Sequence, residues 1–344
     1  MSLSLSWRLS SATAPLAAAA PDIADWVQVA QAAEYAGLHG LFIASDPGLP
    51  ESFTVTAALC AHTQHLCLTT SFPSEVMLPA ALAAAAQSLQ SISQGRLTLH
   101  LPDSEHSSNR RAFGDLLNRD QRSERIGEYL AILSHLLQPA EGPLDFVGQY
   151  FHLENAGHAD SVTRQPVPLM LDETQSLALI ATHADSCLVQ AQAPRRLAAT
   201  LQRLRQATEH QHRQLRFATT LGLILGESDA DAWARAETWL AEHRHFVTQP
   251  GAHAGGSVVQ LAAAAVRRFE IAPNLWRPST LLPAFLVGSL DQVANRLVEL
   301  HGLGIGHVVL QGAPAVREIL RVGEELLPRL QARGVCEEQR AHGH

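Results

Sequence analysis

Short apolar segments alternate with helical segments from one end of the chain to the other, and this alternation limits the fold more than any other feature. Strands separated by helices pair in parallel, and strands of a parallel sheet read as short apolar runs. The candidate strands are Leu3–Leu9, Gly40–Ile43, Leu66–Ser71, Arg96–Leu101, Pro168–Leu171, Ser186–Val189, Arg216–Leu225 and Ile305–Leu310. The main helical segments between them are Asp22–Ala36, Pro79–Ile92, Arg122–Leu137, Ser176–Ala184, Ala193–His210, Asp229–His243 and Leu290–Leu300. Eight parallel strands with helical crossovers predict an α/β fold, a (β/α)8 TIM barrel.

Two segments interrupt the repeat and are predicted to be insertions in this barrel. Leu144–Leu153 has the pattern of a small hairpin, so we place one insertion at about 144–154. Thr248–Phe285 is longer and is rich in Ala and Val, which favours helix, so we place a second insertion at 248–285. We therefore predict one barrel domain over residues 1–335 and a frayed tail over 336–344.

The charge and the cysteine pattern exclude several functional classes. A formal net charge of −8 argues against a nucleic-acid binder, which needs a basic face. The four cysteines lie far apart, without metal-ligand spacing, which is typical of reduced thiols in the cytoplasm. We see neither a signal peptide nor a membrane span, so we expect a cytoplasmic protein without a metal centre and without membrane contact.

Several short sequence motifs resemble one known family along essentially the whole chain. They include Ala-Gln-Ala-Ala-Glu at 30–34, Ser-Gln-Gly-Arg at 93–96, Ser-Glu-Arg at 123–125, Glu-Ile-Ala-Pro-Asn-Leu-Trp at 270–276 and the final strand and helices. These motifs resemble those of the flavin-dependent alkanesulfonate monooxygenases, which are members of the bacterial luciferase-like family. The resemblance implies a luciferase-like (β/α)8 barrel.

The resemblance also implies a chemistry. Members of that family bind reduced FMN, which a separate NAD(P)H:FMN reductase supplies, and use it with oxygen to oxidise a small organic substrate such as a sulfonate. It further implies a homo-oligomer or pairing with a related subunit.

The phosphate turn of the family is altered in this chain. The family has a Gly-Gly-Ser-Ser turn after the fifth strand, where free backbone N–H groups favour an anion. Here the turn is Asp172-Glu173-Thr174-Gln175. At ~5 Å and an effective dielectric constant near 20, each pair of like charges costs on the order of 3 kcal/mol. Alternatively, Asp172 or Thr174 caps the helix that begins at Ser176. Both readings predict weak or absent FMN binding.

Other positions that face flavin or substrate in the family also hold different residues here. A flavin-facing Asn corresponds to His100, and the Val-Thr-Gly that follows it corresponds to Pro102-Asp103-Ser104. By position, the candidate cofactor-binding residues are His100, Asp103, Ser104, Arg125, Thr174 and Gln175. The candidate substrate-binding residues are Thr220, which replaces an Arg of the seventh strand, and Arg277, the cation left in a shortened loop. No residue receives a catalytic role.

Two further groups of residues offer alternatives. Arg110, Arg111, Arg119, Arg122 and Arg125 follow the fourth strand and form either a replacement anion site or a solvated, salt-bridged helix face. His100, Asp103, Asp172 and Glu173 follow neighbouring strands, and oxygen and imidazole ligands of this kind can bind a divalent metal.

Two functions therefore stay open at this point. The first is an FMNH2-dependent, two-component monooxygenase of the alkanesulfonate type. The second is a non-catalytic paralogue with an altered flavin site that serves as a partner or ligand-binding subunit.

Overall fold

The computed structural model describes most of the chain. The described residues are 2–9, 22–45, 50–103, 113–138, 142–157, 165–209, 211, 213–243, 266–279 and 282–337.

Eight parallel strands close into a barrel, which confirms the predicted (β/α)8 TIM-barrel fold. The barrel strands, in order around the barrel, are β1 (Ser4–Leu9), β2 (Gly40–Ile43), β3 (Cys67–Ser71), β4 (Leu97–Leu101), β7 (Leu169–Asp172), β8 (Ser186–Val189), β9 (Arg216–Leu225) and β13 (His307–Gln311). The sheet closes because β13 pairs in parallel with β1 and β9 pairs with both β8 and β13. Each predicted strand corresponds to one barrel strand.

Helices cover the outside of the barrel, and several of them begin at a residue whose side chain caps the first turn. They are α1 (Ile23–Tyr35), α2 (Ser52–Cys60), α3 (Pro79–Ile92), α4 (Arg119–Leu137), α5 (Leu177–His183), α6 (Pro194–Glu209), α7 (Asp229–Glu242), α8 (Leu290–Leu303), α9 (Ala315–Arg321) and α10 (Leu327–Ala332). A π-helical segment, Val322–Leu326, joins α9 to α10. α4 begins three residues earlier than predicted because Asn118 and Gln121 form a capping box. Within the described residues, no helix combines the length and the apolar character needed to cross a bilayer.

Two small β elements lie outside the closed barrel. β5 (Leu144–Val147) and β6 (His152–Ala156) form the predicted hairpin, which α4 holds because the Glu128 carboxylate accepts hydrogen bonds from backbone N–H groups of residues 149–151. β10 (Glu270–Ala272), β11 (Leu275–Trp276) and β12 (Ala284–Gly288) extend the sheet from the far end of β9. The helical prediction for 248–285 is therefore wrong for these described residues; residues 248–265 lie outside the described part.

The strand register determines which side chains point into the barrel. Opposed residues of neighbouring strands share a face. The pairs Arg8 with Phe42, Ser71 with His100, Asp172 with Leu188 and Thr220 with Val309 therefore all face the axis. The inward cluster of Phe42, Ala44, Met170, Ala218 and Val309 is separate from the core beneath the helices.

Inward side chains from alternate strands form layers. Arg8, Ser71, Asp172 and Thr220 come from the first, third, fifth and seventh barrel strands and form one layer at the carboxyl end. Each step to the next odd strand advances the register by two residues. Four such steps amount to a shear of about eight, which is the (β/α)8 value. Beneath them lies the layer of Phe42, His100, Leu188 and Val309.

Candidate functional site

The layer formed by Arg8, Ser71, Asp172 and Thr220 is polar, and we call it the mouth floor. It lies at the carboxyl ends of the barrel strands, where loops converge and where active sites of this fold are found. The layer beneath it contains Phe42, Leu188 and Val309, which are apolar. The two charged and two hydroxyl side chains of the mouth floor therefore stand on a largely apolar support.

A hydrogen-bonded network joins three of the inward residues. His100 Nε2 lies 3.0 Å from Asp172 Oδ1, and His100 Nδ1 lies 3.0 Å from Ser71 Oγ. Asp172 Oδ2 accepts a 2.7 Å bond from the backbone N–H of Asp103. The His100 side chain is 5% exposed and that of Asp172 is 24% exposed. This network therefore ties the ends of β3, β4 and β7 together.

Sequence reasoning missed two mouth-floor residues, Ser71 and Arg8, and Arg8 is the charged one. Its guanidinium carbon lies 5.4 Å from the centroid of the Phe42 ring, and the Phe42 ring lies 5.2 Å from the His100 ring. Because Phe42 is 1% exposed, this stacking places the cation inside the barrel. The available signal was the one charged residue in the first strand, whose other residues are serine or apolar.

A second feature is a cavity of about 440 Å³ beside the mouth. We call it the arginine-lined cavity. It lies between the segments that follow β3, β4 and β7 and the first turns of α4. Its lining residues are Ser74, Pro102, Asp103, Asp115, Arg119, Asp120, Arg122, Ser123, Arg125, Ile126, Thr174, Gln175, Ser176 and Leu179. The lining contains three arginines and three aspartates, so their formal charges sum to zero.

Helix periodicity brings the arginines of α4 to this cavity. Arg119, Arg122 and Arg125 follow one another at intervals of three residues, so they share one helix face. Arg125 Nη2 donates to the carbonyl of Ser74 at 3.2 Å, and its guanidinium lies 5.2 Å from the Phe151 ring. Arg122 donates through Nη1 to the carbonyl of Leu117, while its Nε is buried without a partner among the described groups. Arg110 and Arg111 lie outside the described residues.

The turn after β7 supplies the polar wall that faces these arginines. Thr174, Gln175 and Ser176 all line the cavity. Gln175 Nε2 donates to the carbonyl of Leu101 at 3.0 Å, whereas its Oε1 is buried without a partner in the described structure. Ser176 caps α5, with its Oγ accepting from the Leu179 N–H at 3.3 Å. The predicted capping by Asp172 or Thr174 is therefore wrong.

The two carboxylates of the turn are engaged elsewhere. Asp172 belongs to the His100 network, and Glu173 Oε1 accepts a 2.9 Å bond from the Gln190 N–H. Neither residue is among those that line the arginine-lined cavity. Burial raises the pKa of the Glu173 carboxyl. The negative charges of the cavity come instead from Asp103, Asp115 and Asp120.

The structure separates the cofactor residues predicted from the sequence into two groups. Asp103, Arg125, Thr174 and Gln175 line one cavity. His100 is buried in the barrel instead, with both ring nitrogens bonded to its own chain. Ser104 lies outside the described residues.

The two predicted substrate residues also occupy different places. Thr220 belongs to the mouth floor, and its Oγ1 is buried without a partner among the described groups. Arg277 Nη2 donates to Gln190 Oε1 at 2.9 Å, beside the end of β8, and its Nε is buried without a described partner.

The metal alternative gains no support from the geometry. His100 and Asp172 bind each other, Asp103 contributes its backbone N–H, and Glu173 binds the N–H of Gln190. Across the described ranges, no group of three His, Cys, Asp or Glu side chains is arranged to hold an ion.

Comparison with known proteins connects this geometry to a family. A sequence model of the family described as "Luciferase-like monooxygenase" matches residues 3–307. Among solved structures, EDTA monooxygenase from Chelativorans sp. BNC1 is similar with a TM-score of 0.78 at 17% identity, covering 99% of this chain and 96% of that one. A long-chain alkane monooxygenase has a TM-score of 0.77 at 14% identity, with 100% and 94% coverage. A riboflavin lyase solved with modified FMN and riboflavin has a TM-score of 0.77 at 18% identity, with 98% and 93% coverage. At these identities the structural likeness concerns the fold.

Proposed function

The chain belongs to the luciferase-like monooxygenase family, and on that premise we propose that it is a flavin-dependent monooxygenase that oxidises a small organic substrate with reduced FMN and molecular oxygen. The observation that carries the proposal is the arginine-lined cavity beside a polar barrel mouth. FMN, when bound, supplies the electrons that activate oxygen.

The residues of the arginine-lined cavity fit the phosphate end of FMN. Arg122 Nε and Gln175 Oε1 are buried polar atoms without partners among the described groups, and both belong to residues of the cavity wall. Such atoms usually find a partner, because leaving one unpaired costs about 1–3 kcal/mol. Arg119, Arg122 and Arg125 would hold the phosphate, with Ser123 and Thr174 as additional donors, and Gln175 Oε1 would accept from a hydroxyl.

The mouth floor would orient the substrate. Asp172 and Ser71 hold the His100 ring in one orientation, so this side of the floor presents a fixed surface. Arg8 and Thr220 supply a cation and a hydroxyl on the same floor. Motifs shared with the alkanesulfonate enzymes make a small sulfonate one substrate to test.

The affinity for FMN is proposed to be weak, with a dissociation constant above the micromolar range. The three aspartates of the cavity offset the three arginines, so the lining offers a phosphate dianion little net positive charge. A low affinity suits an enzyme that receives reduced flavin from a separate NAD(P)H:FMN reductase, which we propose as the partner.

One observation favours a second function, that of a non-catalytic partner or ligand-binding subunit. His100 replaces a flavin-facing Asn and is fully bonded to its own chain. A barrel mouth secured in this way can persist without a cofactor.

Titration with FMN separates the two functions. We expect saturable binding of anaerobically reduced FMN by the purified chain, followed by fluorescence, and at least 5-fold weaker binding by the Arg122→Gln variant. Arg195→Gln removes an exposed arginine at the start of α6 and is the matched control. If neither redox form of FMN binds, the monooxygenase proposal fails and the non-catalytic function stands.

A further inference from the structure

We propose that the arginine-lined cavity binds polyol phosphates and that Gln175 is the residue that selects them. Its side-chain oxygen is an acceptor in the cavity wall, so the ligand has to bring a hydroxyl donor beside its phosphate. The inference rests on the proposed function, because it names the part of FMN, the ribityl phosphate, that the cavity recognises.

Two contacts fix the position of the Gln175 side chain. Its backbone N–H donates to the Asp172 carbonyl at 3.1 Å, in the turn after β7. Its Nε2 donates at 3.0 Å to the carbonyl of Leu101, the last residue of β4. A carbonyl oxygen only accepts, so the amide cannot be turned round without losing this bond. The nitrogen is therefore held on β4, and the oxygen is the end of the amide that is left for a ligand.

The cavity wall contains one acceptor and one donor that lack partners. Gln175 Oε1 is buried and makes no hydrogen bond with a described group. Arg122 donates through Nη1 to the carbonyl of Leu117, while its Nε is buried without a described partner. The two residues lie on different walls, the turn after β7 and α4, and these two atoms do not bond each other. Buried polar atoms are normally paired, so a ligand between the walls has to accept from Arg122 and donate to Gln175.

A phosphate by itself does not meet both requirements. At about pH 8 a phosphate monoester is a dianion, and its oxygens only accept. Such an oxygen suits Arg122 but is repelled by Gln175 Oε1. An ammonium group donates to Gln175, yet it brings a further positive charge towards the arginines Arg119, Arg122 and Arg125. An uncharged hydroxyl beside the phosphate is the donor that fits, and a polyol phosphate carries it.

Calorimetric titration without flavin tests this selection. We would titrate the purified full chain at about pH 8, where the phosphate is fully ionised, with D-ribitol 5-phosphate, pentyl phosphate and 2-aminoethyl phosphate. Ribitol 5-phosphate should bind about 5-fold or more tightly than pentyl phosphate, which has the same chain length and charge but no hydroxyl. Equal affinities would mean that water serves the Gln175 oxygen, and tighter binding of 2-aminoethyl phosphate would mean that an ammonium is preferred. Either result would overturn the proposal.

Substitutions separate selection from affinity. Gln175→Met keeps the length of the side chain and removes its acceptor, so the preference for ribitol 5-phosphate over pentyl phosphate should fall to within about 2-fold. Arg122→Gln should weaken both ligands about 5-fold or more and leave their ratio unchanged, because an arginine donates to the phosphate that both carry. Arg195→Gln, which removes an exposed arginine on α6, should change neither affinity.

The ratio of the two dissociation constants is the decisive quantity for Gln175. It does not depend on the folded fraction, so a loss of stability from the unpaired Leu101 carbonyl does not imitate a loss of selection. An unchanged ratio in Gln175→Met would refute the role of Gln175.

The outcomes distinguish this inference from the proposed function. If the parent prefers ribitol 5-phosphate but binds neither redox form of FMN, the monooxygenase proposal fails and the polyol-phosphate site remains. If reduced FMN binds saturably while ribitol 5-phosphate binds no more tightly than pentyl phosphate, or does not bind, the proposed function remains and the polyol-phosphate site is refuted.

Discussion

Asp172 provides the sharpest test of how the barrel mouth is held together. Its carboxylate accepts from Asp103 N at 2.7 Å and lies 3.0 Å from His100 Nε2, and the His100 side chain is 5% exposed. Asp172→Ala leaves a ring nitrogen and a backbone N–H without their acceptor. Each loss costs about 1.5–3 kcal/mol when the acceptor is charged and buried. Because the Asp172 side chain is 24% exposed, water can replace part of the lost hydrogen bonding. We therefore expect the variant to lose about 3 kcal/mol of unfolding free energy.

Urea unfolding followed by circular dichroism measures this loss as a change in the free energy of unfolding. Glu173→Ala is the matched control on the neighbouring residue, since Glu173 Oε1 accepts one 2.9 Å bond from the Gln190 N–H. That single loss is expected to cost about 1 kcal/mol. If Asp172→Ala cost no more than Glu173→Ala, the network would not be what secures the strand ends.

Asp172 and Glu173 together test whether their charges weaken FMN binding, as their position in the sequence predicts. Two carboxylates at the phosphate turn imply that replacing both Asp172 and Glu173 with Gly tightens FMN binding. Because both side chains bond to their own chain and neither lines the cavity, we now expect the double Gly variant to lose stability without tighter binding.

Three further predictions concern charge, pH and backbone packing. Asp120→Asn removes a negative charge from the wall of the arginine-lined cavity, so FMN should bind about 2- to 5-fold more tightly at low ionic strength in a fluorescence titration. Because salt screens charges, this gain in affinity should shrink at high ionic strength. Burial, with smaller effects of His39 and Arg216, lowers the pKa of His307 to about 3. The free energy of unfolding should therefore fall as the pH drops from about 6.5 towards 3, and His307→Asn should reduce that fall by up to about 1.4 kcal/mol per pH unit, measured by urea unfolding. Gly40→Ala places a Cβ 2.3 Å from the Cys67 carbonyl oxygen and should cost about 3 kcal/mol or more, whereas Gly302→Ala has nothing within 4 Å in α8 and should gain about 0.5–1 kcal/mol in thermal unfolding.

Each of these predictions has a control and an outcome that contradicts it. Glu209→Gln changes an exposed charge at the end of α6, and an equal gain in FMN affinity there would mean that only net charge matters. His152→Gln alters a side chain that is 62% exposed, so it should leave the acid dependence as it is; an unaltered slope in His307→Asn would contradict the assignment. Equal stabilities of the two Gly variants would mean that the close approach of β2 to β3 does not restrict residue 40.

The fold was readable from the sequence because its signal is local. Apolar runs bounded by Gly and Pro predict strands wherever they occur, and all eight barrel strands were located in this way. Less regular segments were harder to predict. β10 and β11 contain three and two residues, which is too few to show a periodicity, so this region was expected to be helical.

The candidate site was only partly readable, because its residues meet through the closure of the barrel. Arg125, Thr174 and Gln175 were identified by position, and the structure brings them to one cavity. Asp172 was placed at the same turn, yet its side chain points to the axis, because strand residues alternate between the two faces of the sheet.

The sequence by itself determined the parallel α/β architecture, the family and the polar character of the strand ends, since these depend on residue type and on spacing along the chain. Tertiary structure alone decided that Arg8, Ser71, Asp172 and Thr220 share a layer, because that layer exists only when β13 pairs with β1. Residues more than 200 positions apart, such as Arg8 and Thr220, come to share one layer through a shear that no local pattern encodes.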